Sequence, residues 1–334
     1  MVGDSSLVSS SRDFGDQWKY LKLQGMWTVI SLVGFLIAGK LPLKLLEKFA
    51  LPIFSLSIIL LLLVLIPGIG SKILGARRWI NLGLFSLQPS EFAKISLIIF
   101  LSSLLRQKDK FISFLVILGI MLGLVMLQPD LGTSLVLLGS GLTIYFVSNQ
   151  ELRKLLILLP VGLIAIGALI LTSPYRLNRV KTFLDYSHDP LGSSYQIRQS
   201  LLGLGSGGIT GVGFGQSRQK YEYLPEAMTD SVFAIIGEEL GLIGGLIVIA
   251  TFTVLVINGF QVAASTDDEF QKFLAVGISS LIGLQAFINI SAIVALVPLT
   301  GIPLPFISYG GSSLLTMLFS TGLLLNIAKN ARTK

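Results

Sequence analysis

A chain of 334 residues that is 52% hydrophobic and only 13% charged is not a soluble domain, because such domains carry about a quarter charged residues; its mean hydropathy of +0.80 places it in a bilayer. There is no cysteine and a single histidine, His188, which excludes disulfides, thiolate or multi-histidine metal sites and cysteine nucleophiles and leaves carboxylate oxygens for any Mg²⁺-like or Ca²⁺-like ion. The net charge of +7 does not call for nucleic acid, since Lys and Arg in a membrane protein flank the spans and meet anionic lipid.

About 20 largely apolar residues cross the hydrocarbon core as a helix. Nine such stretches follow one another near 25–41, 49–68, 91–105, 111–128, 131–148, 155–172, 231–259, 272–297 and 312–328. They do not alternate as barrel strands do, and short polar connectors such as RQKDK and QPD join them. The expected fold is therefore an all-α polytopic bundle, a single membrane domain over 1–334. Placing the C-terminus inside puts 12 Lys and Arg on inner segments against 7 outside, once the long segment 173–230 is left out because such loops escape the charge rule. The N-terminus and 173–230 then face outward. An odd number of spans with an outer N-terminus leads to the expectation that the chain starts near the outer end of a lost first span.

RRWINLG (77–83) brings Arg77 and Arg78 beside Trp79, an interfacial anchor or, alternatively, a phosphate-binding pair. Glu91 and Lys94 stand one turn apart at a span start and read as an i,i+3 pair. In QPDLGT (128–133), Asp130 reads as a helix cap.

Segment 173–230 exceeds ordinary loop length, and its tyrosines and its Leu201, Leu202 and Leu204 are not the composition of a disordered tract. Seven glycines fall between 203 and 215, and GLGSGG matches G-x-G-x-x-G. The dinucleotide reading fails for want of a preceding strand and a following helix. A flexible turn is the default reading, and close approach of backbone to a ligand or a neighbouring helix is the alternative. In YLPEAMTD, Pro225 is placed at a first helical position, so that Glu226 and Asp230 share one helix face if the turn forms. Glu238 and Glu239 lie deeper in the next span, where a partner such as Lys94 or an arginine is expected. PLTGIPLPFISYGGSS (298–313) is irregular backbone between spans, tolerated only where it is buried or lines a cavity. DDE (267–269) reads as a solvated inner loop and His188 as a plain loop residue.

Taken in order, RRWINLG, QPSEFAK, QPDLGT, YQIRQSLLGLGSGGITGVGFGQSRQKYEYLPEAMTD, FAIIGEELG and PLPFISYGGSS resemble the SEDS proteins, the FtsW/RodA family, over nearly the whole chain; EYLPEAMTDSVFAIIGEELG and FGDQWKYLK resemble the FtsW branch more than RodA. The resemblance implies a peptidoglycan glycosyltransferase of the bacterial cytoplasmic membrane, a bundle of about ten helices that polymerises lipid II onto a nascent glycan strand beside a class B penicillin-binding protein and other divisome membrane proteins. It implies that Asp230 is the essential acid of the outer loop, with 173–230 the extracytoplasmic active-site loop, and that Glu91 and Lys94 are a polar pair inside the bundle. Arg77, Arg78, Arg176, Arg179, Lys220 and Glu226 are the candidates for holding substrate or its pyrophosphate, with a divalent cation, Mg²⁺ or Mn²⁺, as a further candidate. Leu23, Met228 and Ser231 depart from the residues common at those positions. A lipid II flippase and a non-catalytic scaffold are the rival readings.

Overall fold

The computed structural model describes residues 10–332 apart from 13–14, 74–75, 82, 84–85, 149, 152, 155–166, 168–170, 172–173, 186–192 and 222–223. All of the expected span at 155–172 but residues 167 and 171, and His188, therefore lie outside the described residues. The chain forms two compact units, one of Met1–Gln24, Glu151–Thr251 and Ala286–Tyr309, the other of Gly25–Gln150, Phe252–Gln285 and Gly310–Lys334.

The helices follow the apolar runs. They are α1 (Lys19–Ala38), α2 (Leu43–Lys48), α3 (Ala50–Leu63), α4 (Pro89–Leu104), α5 (Phe111–Leu127), α6 (Leu131–Val147), α7 (Pro174–Leu184), α8 (Ser193–Gly207), α9 (Val232–Ala264), α10 (Glu269–Ile293) and α11 (Gly311–Arg332). Four of these, α1, α9, α10 and α11, are long and apolar enough to cross a membrane alone; α3, α5 and α6 are shorter apolar helices. The protein is a polytopic helical membrane protein. Val29, Leu32, Val33 and Leu36 of α1 and Leu242, Leu246 and Ile247 of α9 stay exposed, as side chains solvated by lipid do.

In the second unit α4 is the core, packed against α3, α5, α6 and α11. Ala93 through Ile99 are buried without a break, so this helix has no solvent face and its polar residues must find partners inside. Pro89 starts it where a missing N–H is harmless, and Glu91 lies in its first turn. Asp130 caps α6 as expected, accepting from the Thr133 N–H at 3.0 Å and its hydroxyl at 2.8 Å. Asn326 ties α11 to the end of α1, donating to the carbonyls of Ala38 (2.9 Å) and Leu41 (2.7 Å).

A small antiparallel sheet is added to the helical bundle: β1 (Gly70–Ile73), β2 (Ala76–Asn81) and β3 (Ser86–Leu87), in that order. It takes over from the expected span at 49–68, whose helix ends at Leu63. The β-branched and aromatic character of RRWINLG suits a pleated, half-buried surface, and Ala76 and Ile80 are its buried ends.

Candidate active site

The glycine-rich stretch is neither a dinucleotide turn nor a flexible one. GLGSG forms the last turn of α8, and residues 208–213 then lie against a break in α9. At Gly241 the helix leaves its course, with φ 67° and ψ −165°. A break exposes backbone groups that must be satisfied. The N–H groups of Val212 and Gly213 donate to the carbonyls of Glu238 and Glu239, each at 3.0 Å; in return Leu242 and Ile243 donate to Gly208 (2.9 Å) and Ile209 (3.2 Å). Side chains would prevent this. A Cβ on Gly241 would lie 2.4 Å from the Gly211 nitrogen, and one on Gly207 would lie 2.0 Å from the Gly237 carbonyl oxygen. The glycines are there for backbone-to-backbone docking.

That docking also brings residues 217–220 onto the two glutamates. Glu238 accepts from the Ser217 hydroxyl and from the N–H groups of Arg218 (3.0 Å) and Gln219 (3.3 Å). Glu239 lies 3.5 Å from Lys220 Nζ, which also donates to the Gly215 carbonyl at 2.5 Å. Glu239 thus pairs with Lys220 rather than Lys94, and Glu238 with Ser217 and backbone N–H groups. Sequence distance hid it, because only the docked loop carries Lys220 to the depth of the break.

Asp230 stands two residues before α9, on the wall of a small open cleft. The cleft is walled by Arg179 of α7, Gln196 of α8, Asn289, Ala292 and Ile293 of α10, and Leu299–Ile302 of the segment after it. The start of the Pro- and Gly-rich stretch 298–313 therefore lines a cleft, as irregular backbone between spans must. Asn289 staples the cleft together, its amide N–H₂ donating to the carbonyls of Asp230 (2.8 Å) and Ile302 (2.7 Å). The Tyr309 N–H donates to the Met228 carbonyl at 2.8 Å, the Ser308 hydroxyl to that of Thr229, and Gln196 to the Ser231 hydroxyl at 3.1 Å. Burial raises the Tyr309 phenol above its ordinary pKa. Arg179 donates to the Leu299 carbonyl at 2.5 Å.

Gly301 is where the charges face each other. A Cβ there would lie 3.4 Å from Asp230 Oδ2 and 3.9 Å from each terminal nitrogen of Arg179. A carboxylate and a guanidinium thus flank one small space kept open by a glycine at φ 74°. That arrangement can take a proton from a hydroxyl and neutralise an anionic group beside it.

The other expected residues take different places. Glu226 does not share a helix face with Asp230: its φ is 52°, and the chain from 225 to 231 is turns, with helix only from Val232. Its carboxylate accepts from the Thr229 hydroxyl at 2.7 Å, on the exposed side. Arg78 grips the hairpin before α6, donating to the carbonyls of Gln128 (2.8 Å) and Pro129 (2.5 Å), and Arg77 reaches the Leu65 carbonyl at 3.4 Å. Arg176 belongs to α7, but its side chain lies outside the described residues. In the second unit Glu91 and Lys94 form the expected i,i+3 pair at 2.8 Å, nearly inaccessible to solvent, and Lys94 makes a further 2.7 Å bond to Gln285 of α10. Gln285 and Asn289 were not singled out from the sequence; an amide inside the apolar run LQAFINISAI was the available signal. Among the described residues no three His, Cys, Asp or Glu gather as metal ligands.

Comparison with known proteins agrees with this architecture. A model of the cell cycle protein family FtsW/RodA/SpoVE matches residues 1–333. The stage V sporulation protein E of Bacillus subtilis (strain 168) is 41% identical over 99% of this chain and 93% of its own length. A protein of Trichlorobacter lovleyi named "Probable peptidoglycan glycosyltransferase FtsW" is 41% identical over 98% of this chain and 88% of its own. Among solved structures, a chain from work described as "Structural coordination of polymerization and crosslinking by a peptidoglycan synthase complex" is 29% identical with a TM-score of 0.80, covering 100% of this chain and 95% of that one. The rod shape determining protein RodA of Thermus thermophilus is 28% identical with a TM-score of 0.71, over 98% of this chain and 92% of that one. The chain belongs to the FtsW/RodA/SpoVE family.

Proposed function

We propose that this chain is a peptidoglycan glycosyltransferase that polymerises lipid II at the outer face of the bacterial cytoplasmic membrane during cell division. The observation that carries the reading is the Asp230 carboxylate and the Arg179 guanidinium flanking one open space at Gly301. Asp230 takes the proton from the GlcNAc 4-hydroxyl of the acceptor lipid II. That oxygen bonds to the anomeric MurNAc carbon of the donor strand with inversion, while the bond to undecaprenyl pyrophosphate breaks. Arg179 offsets the charge of the departing pyrophosphate. Among the described residues no protein-only metal cage is formed. One carboxylate together with substrate phosphate oxygens is still a donor set that Mg²⁺ or Mn²⁺ accepts, so Asp230 would hold such an ion and the ion would supply charge neutralisation.

The relatives named as glycosyltransferases support the activity. The charge bias of the connectors supports a cytoplasmic C-terminus and an extracytoplasmic 173–230. A class B penicillin-binding protein and other divisome membrane proteins are the partners we assign, and nucleic acid is not among them. The test is polymerisation of labelled lipid II by the purified chain with its cognate penicillin-binding protein and Mg²⁺ or Mn²⁺. Wild type is expected to make polymer, and Asp230→Ala and Asp230→Asn none at equal folding. Polymer from both variants would remove Asp230 as the base; translocation of lipid II without polymer would favour the flippase.

A further inference from the structure

The wall of the Asp230 cleft carries two buried polar atoms without a hydrogen-bond partner among the described residues. Asn289 is 2% exposed. Both hydrogens of its amide nitrogen are committed to carbonyl oxygens, those of Asp230 and Ile302. Since both partners are acceptors, the amide cannot be flipped, and Asn289 presents Oδ1 as a pure acceptor. Oδ1 is buried and has no hydrogen-bond partner among the described residues; the same holds for Thr300 Oγ1. Buried polar groups are nearly always satisfied, and both residues line the cleft with Asp230. Ile293 and Leu299 add apolar surface to the same wall.

We propose that Asn289 and Thr300 form a sugar-reading subsite beside Asp230, which binds the hydroxyl or acetamido N–H of the acceptor saccharide. This rests on the glycosyltransferase reading and adds a polarity to it. Asp230 and Asn289 Oδ1 only accept, so they suit a group that donates hydrogen bonds. A pyrophosphate only accepts, so Asp230 and Asn289 Oδ1 offer it no direct hydrogen bond. A pyranose brings donating hydroxyls on its edge and C–H groups on its face, which match the polar and apolar parts of this wall. The acceptor sugar therefore lies here, and the pyrophosphate lies on the Arg179 side.

Thr300→Val separates binding from folding. It is nearly isosteric and removes a buried hydroxyl that has no internal partner, so stability stays level or rises. Loss of one hydrogen bond to a neutral sugar group raises KM for lipid II about five- to tenfold, with kcat within about twofold. Thr300→Ser, which keeps the hydroxyl, restores KM. Inhibition by undecaprenyl pyrophosphate, whose head group donates nothing, is unchanged in Thr300→Val. An unchanged KM in a folded Thr300→Val that polymerises overturns the subsite, as does equal weakening of lipid II and undecaprenyl pyrophosphate. If Thr300→Val does not fold, the hydroxyl is structural and the subsite is overturned too. Absence of polymer from wild type refutes the glycosyltransferase reading itself, and the subsite falls with it.

Discussion

Gly301→Ala isolates the space between base and guanidinium from the scaffold around it. The glycine sits at φ 74°, where a side chain costs about 1–2 kcal/mol. The added methyl carbon would lie 3.4 Å from Asp230 Oδ2 and 3.9 Å from the two Arg179 nitrogens, ordinary contact distances, so no neighbour has to move. The fold therefore loses about 1–2 kcal/mol, seen as a few degrees in Tm. Catalysis loses more. A hydroxyl giving its proton to Asp230 must come within about 2.6–3.2 Å of the carboxylate, and the methyl stands on that approach. Displacing a reacting group by about 1 Å costs about 100-fold, so kcat/KM for lipid II polymerisation is expected to fall at least that far. The assay is the initial rate of polymer formation, read beside the thermal unfolding midpoint of the same preparation. A folded Gly301→Ala working at more than half the wild-type rate would show that substrate does not pass between Asp230 and Arg179. A loss of activity that only tracks a loss of folded protein would assign the effect to backbone strain and refute the steric argument.

Lys94→Met leaves Glu91 charged and nearly inaccessible without its partner, and is expected to destabilise by about 3–5 kcal/mol, whereas the double variant Glu91→Gln with Lys94→Met regains most of that. Strictly additive single effects in a denaturation cycle would refute the pairing. Gly241→Ala is expected to expel the 208–213 stretch from the break in α9, because a Cβ at 2.4 Å from the Gly211 nitrogen has no room. With four backbone hydrogen bonds lost, the loss of stability should reach about 3 kcal/mol or more. Limited proteolysis should then cut between 207 and 221, and a cleavage pattern like that of wild type would refute the docking.

Apolar runs of span length marked α1, α9, α10 and α11 directly, since a bilayer admits little other than a helix there. Local pairs and caps were equally readable: Glu91 with Lys94 at i,i+3 and Asp130 with Thr133 need only helix geometry. The short sheet at 70–87 was not read, because its strands lie between spans where no periodic pattern of sufficient length develops. The segment 173–230 reads as a loop, because its glycines and its Arg and Lys residues resemble a turn when taken alone, whereas α7 and α8 lie in it. Glu226 was placed on the same helix face as Asp230, and its left-handed φ, which no neighbour in the sequence announces, put it in a turn instead.

The sequence by itself determined that this is a multi-span helical membrane protein, that Asp230 stands at the polar entry of a span, and that the proline-rich part of 298–313 cannot be regular helix. These follow from composition, local spacing and proline, and they hold whatever the rest of the chain does. Only the tertiary structure decided what those pieces meet. It set residues 207–213 of the glycine-rich stretch against α9 at the break at Gly241, gave Glu239 to Lys220 rather than to Lys94, and turned Asn289, an amide in an apolar run, into the staple between Asp230 and Ile302. The bonds at the break and at Asn289 join residues 13 to 59 positions apart and end on backbone groups that every residue carries alike, while Lys220 meets Glu239 side chain to side chain. Side-chain identity does not announce such bonds; packing alone chooses them.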